Sequence, residues 1–322
     1  MSRREFLLRS AAAGMAGTAT LATPATAAAG TVAPGTMGSV IDLSACNGCG
    51  ACATACRDKN AANYPAPQKD IPVNWPTGRN EDWTDLRDAS DRLTPYSWTY
   101  IEQVEVDGQT LNIPRRCMHC DDPACVKLCP FGAQEKTEKG AVLIDHETCM
   151  GGAKCRDVCP WEIPQRQAGV GVYMDLLPGL VGGGVMYKCD MCSDLLEMGE
   201  QPACSAACPT GALRFGDKDE MRRAAEELAA RSGGHVYGIT EGGGTSTFYV
   251  SPVSFERIDE AISAKKEDLP PRLKTSVPHM KPGVANYLDT TSGLAKTYAA
   301  APAVGLGVAA VAAVAAFKGG AK

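Results

Sequence analysis

The sequence predicts an α+β fold of two nested units with insertions, followed by a carboxyl-terminal transmembrane helix. Three observations predict it. Fifteen cysteines in a chain of 322 residues gather in four short runs. Behind two of the runs the same pattern recurs, Cys-Pro-x-Gly-Ala and then a strand-like stretch, at Cys129 to Ala133 and Cys208 to Ala212, so one structural unit is repeated. Finally, Thr297 to Phe317 carries no charge for 21 residues, about the length that crosses a hydrocarbon core.

The two central runs set the chemistry. The first reads Cys117-Met118-His119-Cys120, then Cys125, then Cys129-Pro130; the second has Cys149, Gly152, Cys155 and Cys159-Pro160. Three closely spaced thiolates can hold one corner each of an iron–sulfur cubane, and a later Cys-Pro is aimed across to a second cluster. That crossing rule gives Cys117, Cys120, Cys125 and Cys159 to one [4Fe–4S] cluster, and Cys149, Cys155 and Cys129 to another. The units are thus bacterial-ferredoxin-like, with two clusters each. Zinc sites space two Cys pairs apart without the crossing Cys-Pro, and an odd number of close-packed cysteines does not make a disulfide framework.

Composition bounds the rest. Aromatics make up 6% of the chain and the formal charge is −5, so metal–thiolate bonds substitute for part of an apolar core. No basic run interleaved with aromatics is present, which argues against nucleic acid as a partner. Ser2-Arg3-Arg4-Glu5-Phe6, an Ala/Gly-rich stretch and Ala25-Thr26-Ala27 predict a twin-arginine signal peptide over residues 1–27. That route exports folded protein, so the clusters would be inserted in the cytoplasm and the cysteines kept from forming disulfides.

Residues 28–39 read as a linker, and Ile41 to Ser44 as a strand feeding the first run, Cys46, Cys49, Cys52 and Cys56. Gly48 and Gly50 let the backbone close in on the sulfurs, and a helix is expected from Ala53. Residues 57–92, with Trp75 and Trp83, read as an irregular surface insertion whose aromatics pack it down or meet a partner. Residues 97–106 and 109–113 predict a hairpin through Asp107-Gly108, and Ala141 to Asp145 a strand. Residues 165–187 read as a Gly-rich connection. The fourth run is Cys189, Cys192, Cys204 and Cys208-Pro209. By the crossing rule Cys208 joins Cys46, Cys49 and Cys52, while Cys56 joins Cys189, Cys192 and Cys204. Unit A is therefore 40–64 with 185–217, and unit B, 97–170, is inserted within it. Over 218–231 an amphipathic helix ends at Gly233-Gly234; 235–239 and 245–253 read as strands, and 264–292 as extended. The extension 218–292 leads to a membrane anchor over 294–317. The triplet Gly242-Gly243-Gly244 lacks the Lys-Ser/Thr of a phosphate loop.

With the four cysteine groups in this order, the signal, Glu241 to Thr245 (E-G-G-G-T) and the tail, the chain resembles the four-cluster ferredoxin-type electron-transfer (beta) subunits. Its nearest pattern is the HybA-type subunit of membrane-bound uptake [NiFe] hydrogenase; relatives include the beta subunits of formate dehydrogenase N, dimethyl sulfoxide reductase and nitrate reductase. The resemblance implies a non-catalytic relay on the periplasmic side of the cytoplasmic membrane. Its partners would be a catalytic oxidoreductase subunit and an integral membrane, quinone-interacting subunit, with the tail helix as anchor. The same relay could serve a molybdopterin enzyme or a multihaem cytochrome. An iron–sulfur enzyme and a zinc-bound assembly module are the other classes. One departure stands out, Gly152 where the pattern has Cys. The beta subunit of nitrate reductase also lacks the equivalent Cys and carries [3Fe–4S]. Three [4Fe–4S] clusters and one [3Fe–4S] are therefore expected; the alternatives are a fourth [4Fe–4S] with a non-Cys ligand, His146 being near in sequence, or an empty site.

Overall fold

A computed structural model describes residues 35–67, 71–73, 81–176 and 183–289. The central element is a four-stranded sheet built from both ends of the described chain. Strand β1 (Met37–Asp42) is its second strand. The remaining strands in chain order are β2 (Tyr100–Val106), β3 (Gln109–Arg115), β4 (Gln134–Lys136), β5 (Val142–Ile144), β6 (Gln165–Gln167), β7 (Val185–Tyr187), β8 (Leu213–Asp217), β9 (His235–Tyr237) and β10 (Thr247–Ser251). The sheet order is β8-β1-β10-β9. β1 runs antiparallel to β8, with Ser39 opposite Phe215, and parallel to β10, with Ile41 opposite Tyr249.

Alternation along β1 divides the core. Val40 faces the helix Lys218–Ser232, which lays Ala225 and Ala229 on Val40, Phe248 and Val250. Asp217 caps that helix by accepting the N–H groups of Asp219 and Glu220, and Gly233 ends it in the left-handed region at φ 64°, as expected of an acidic N-cap and a glycine stop. Ile41 faces the opposite way, into a cluster with the β2–β3 hairpin, Trp161, Tyr249 and the helix Phe255–Glu267. The hairpin turns through Asp107 and Gly108, both at positive φ, as a two-residue turn with the twist of the strands requires. Two small ribbons, β4–β5 and β6–β7, complete the pairing.

Three expectations change. The helix Phe255–Glu267 lies partly in a segment read as extended; Phe255, Ile258 and Ile262 recur at helical spacing and are buried. Within 165–187, read as a connection, β6 pairs with β7. Trp83 is fully buried, packing its insertion down as read, whereas Trp75 lies outside the described residues. The transmembrane helix is corrected as well: among the described residues no helix is long and apolar enough to cross a membrane. Residues 294–317, mostly Ala, Val and Gly, lie outside the described residues, as do 1–27. Side chains of that size contribute little apolar area each, so an absence of charge overstated the signal.

Candidate functional site

The first cysteine loop closes under the β2–β3 hairpin. Gly48 has φ 73°, and a Cβ there would sit 2.4 Å from Asn112 Oδ1, so only glycine fits beneath β3. The Cys49 N–H donates to Asn47 Oδ1 at 3.1 Å. Gly50, also left-handed, starts the helix Ala51–Asn60. Cys52 and Cys56 then follow one turn apart on one face, both buried.

Within each of the four sets that the crossing rule draws, thiols lie in electrostatic reach of one another. Cys46 is in electrostatic reach of Cys208 and Cys49, and Cys52 of Cys46 and Cys208. Cys56 neighbours Cys204 and Cys192, and Cys189 neighbours Cys56. Cys120 neighbours Cys125, Cys159 and Cys117. Cys155 neighbours Cys149 and Cys129. Electrostatic interactions also run between the sets: Cys52 with Cys204, Cys189 with Cys117, and Cys155 with Cys125. They put the four groups in a linear order. At one end Cys49 is exposed; at the other, Cys129, Cys149, Cys155 and Gly152 line a small, half-open cavity beside Phe131. Among the described residues no three His, Cys, Asp or Glu side chains are drawn close enough for a single metal ion; the groups are recognised by the mutual proximity of their thiols.

Burial sets the protonation of these sulfurs. It pushes Cys52, Cys56 and Cys159 up to about 12, and Cys125 and Cys192 up to about 11. Cys208 moves the other way: burial raises it, but the Leu213 N–H at 3.4 Å and the Thr210 hydroxyl outweigh that. Thiols of this kind give up their protons to iron rather than to water. Backbone N–H groups also reach sulfur at Cys149, from Met186 at 3.5 Å, and at Cys189, from Met191 at 3.4 Å. Such bonds favour the anionic ligand and tune cluster potential.

Buried donors fit a sulfur-rich cofactor too. The His119 Nδ1 accepts the Val142 N–H at 3.0 Å, which leaves the proton of the neutral ring on Nε2. Burial holds His119 well below the ordinary imidazole value, hence neutral. Its Nε2 and the Nε of Arg116 are buried without an acceptor in the protein. His119, Arg116 and Lys188 were not singled out by the sequence. The signal was there: a basic residue directly precedes Cys117 and Cys189 but not Cys46 or Cys149.

At Gly152 a Cβ would meet only Phe131 Cε2, at 3.5 Å. The polar side chains of that cavity are Gln134 and Lys154. His146 is not among its lining; its ring packs on Tyr187, centroids 4.4 Å apart, and edge-on to Trp98. The glycine triplet has a structural purpose. Gly244 O accepts the Asp121 N–H, Ser246 N–H reaches Met118 O and His119 O, and Thr245 bridges to Cys120. The Glu241 to Thr245 loop clamps the second cysteine run, and a Cβ on Gly244 would meet Asp121 Oδ2 at 2.5 Å.

Two family descriptions, both a 4Fe-4S dicluster domain, match residues 45–133 and residues 109–176 with 180–218. The Hydrogenase-2 operon protein HybA of Escherichia coli O157:H7 is 31% identical over 258 residues, 68% of this chain and 70% of that protein. The nitrate-inducible formate dehydrogenase iron-sulfur subunit of Escherichia coli K12 is 31% identical over 281 residues, 79% of this chain and 82% of that one. The formate dehydrogenase-O iron-sulfur subunit of the same strain is 32% identical over 222 residues, 66% and 65% of the two chains.

Proposed function

Because the chain belongs to the family of iron–sulfur electron-transfer subunits that includes HybA and the formate dehydrogenase iron-sulfur subunits, we propose that it is a four-cluster wire between a catalytic subunit and a quinone-reactive membrane partner. Cys46, Cys49, Cys52 and Cys208 would hold the surface-end [4Fe–4S] cluster, and Cys56, Cys189, Cys192 and Cys204 the next. Cys117, Cys120, Cys125 and Cys159 would hold the third. Cys129, Cys149 and Cys155, with no thiol at Gly152, are assigned a [3Fe–4S] cluster. The observation that carries this reading is the linear order of the four thiol groups, with neighbouring groups in electrostatic reach of each other. Relatives of the hydrogenase and formate dehydrogenase kinds match at the same 31% identity, so the catalytic partner is an oxidoreductase of one of those kinds. Export by the twin-arginine signal, to the periplasmic side, is part of the proposal.

Iron and acid-labile sulfide analysis with electron paramagnetic resonance of the anaerobically purified chain tests it. About fifteen irons, a near-isotropic signal when oxidised and interacting reduced cubanes are expected. Zinc in place of iron, or catalytic turnover by the chain alone, would overturn it.

A further inference from the structure

Two buried cations stand between the second and fourth cysteine runs. Arg116 and Lys188 are 2% and 6% exposed, and neither forms an ion pair with a carboxylate among the described residues. The Arg116 guanidinium donates to Ser39 Oγ at 2.5 Å, on the central strand β1. Lys188 Nζ donates to Val142 O and, at 3.1 Å, to Cys189 O. Carbonyl and hydroxyl partners satisfy hydrogen bonds but do not neutralise charge, and a buried unpaired cation is strongly unfavourable.

The anions they face are sulfurs, and the arrangement is reciprocal. Arg116 directly precedes Cys117, yet its side chain hydrogen-bonds Cys189 and lies in electrostatic reach of Cys204, both of the fourth run. Lys188 directly precedes Cys189, yet its Nζ reaches the carbonyl of Val142, whose N–H is held by His119 of the second run, and the thiols of Cys117 and Cys125 act on it more strongly than its own neighbour Cys189. Each run therefore sends its cation to the other run's thiols. The carboxylate of Asp190 also attracts Lys188, after the thiols of Cys117, Cys125 and Cys189.

We propose that Arg116 and Lys188 form a crossed cationic clasp between the two inner cluster sites, raising the reduction potentials of those two clusters above what their thiolates alone would give. The inference rests on the four-cluster reading. When an inner cluster takes up one electron its negative charge grows by one, with no bond made or broken. A fixed positive charge nearby stabilises that reduced form, and low dielectric magnifies the effect. The outer sites lack the device: Ala45 precedes Cys46 and Thr148 precedes Cys149. The clasp also makes each inner site depend on the other, since losing either cluster would leave a cation facing protonated thiols.

The test is potentiometric titration with dithionite, followed by electron paramagnetic resonance, on the full chain as wild type, Lys188→Gln, Arg116→Gln and Lys188→Arg. Glutamine keeps a donor for the carbonyls and removes the charge. Each neutral variant is expected to lower the midpoint potentials of the two inner clusters and leave the outer two unmoved, while Lys188→Arg stays near wild type. Equal shifts in all four clusters, or none, would overturn the clasp. If the neutral variants fail to load iron, Lys188→Arg decides: loading supports a need for charge, and failure to load attributes the defect to packing and overturns the proposal. A wild type without iron–sulfur clusters would instead overturn the four-cluster reading itself.

Discussion

Gly152→Cys is the substitution whose outcome the structure constrains most. Position 152 has an ordinary backbone conformation, with a Cβ touching only Phe131 at 3.5 Å, an ordinary contact. Replacing glycine where a side chain fits without strain stabilises by roughly 0.4–1 kcal/mol through the unfolded chain, so the variant should fold at least as well as wild type. The thiol would enter the cavity lined by Cys129, Cys149 and Cys155. Expected results are a gain of about one iron per chain, loss of the near-isotropic oxidised signal and a new cubane signal on reduction. The adjacent Gly151→Cys is the control. Its φ is 65° and its Cβ would lie 2.4 Å from Gly184 O, so it should cost about 2 kcal/mol or more and yield less protein. Paired iron analysis and spectra decide. A Gly152→Cys protein that folds, keeps the wild-type signal and gains no iron would refute the assignment of Gly152 to the missing corner.

Three further outcomes are expected. Glu81 pairs with Arg156 at 2.7 Å and Arg166 at 2.6 Å; removing it as Glu81→Ala should cost about 3 kcal/mol, read by thermal unfolding. Burial raises its carboxyl but the two guanidinium groups outweigh that and hold it below its ordinary 4.5. The pairing therefore contributes fully above that value and is lost as pH falls through the lower, folded value. The melting difference between wild type and Glu81→Gln should be equal at pH 7 and 5.5, and shrinkage already at 5.5 would contradict the pairing. Gly242→Ala should destabilise by about 2 kcal/mol, since φ is 62° and its Cβ would meet the Trp161 ring at 2.9 Å; a melt unchanged from wild type would count against the clamp. Changing Arg3 and Arg4 to Lys should leave iron-loaded protein in the cytoplasm, and normal export of that variant would remove the twin-arginine signal from the account.

Local rules were legible in the sequence and long-range ones were not. The Asp107-Gly108 turn and the helix between Asp217 and Gly233 are dictated by residues within a few positions, and they formed where expected. The thiol neighbourhoods follow from runs in which each Cys-Pro leaves its own loop. Burial of Trp83 depends on β6, whose Gln167 accepts the Trp83 N–H at 2.9 Å across 84 residues, and nothing near Trp83 signals that. The same holds for the reach of Arg116 and Lys188. The helix at 255–267 was legible in its i, i+3, i+7 spacing but was hidden by the Lys- and Pro-rich stretch behind it.

The position of β1 has a consequence for the timing of synthesis. Ser39 and Thr247 touch side chain to side chain although 208 residues separate them, and β8, the other neighbour of β1, also follows the whole inner region. At bacterial or eukaryotic elongation speeds of about 5–20 residues per second, that gap lasts roughly 10 to 40 s. For most of that interval, until β8 is made, the first strand has emerged with neither neighbour, and the thiols of Cys46, Cys49 and Cys52 await Cys208. The β2–β3 hairpin can pair meanwhile, from contacts close in sequence, while the second run still lacks the Glu241 to Thr245 loop that clamps it. The strand at the centre of the sheet is thus made long before the strands that flank it.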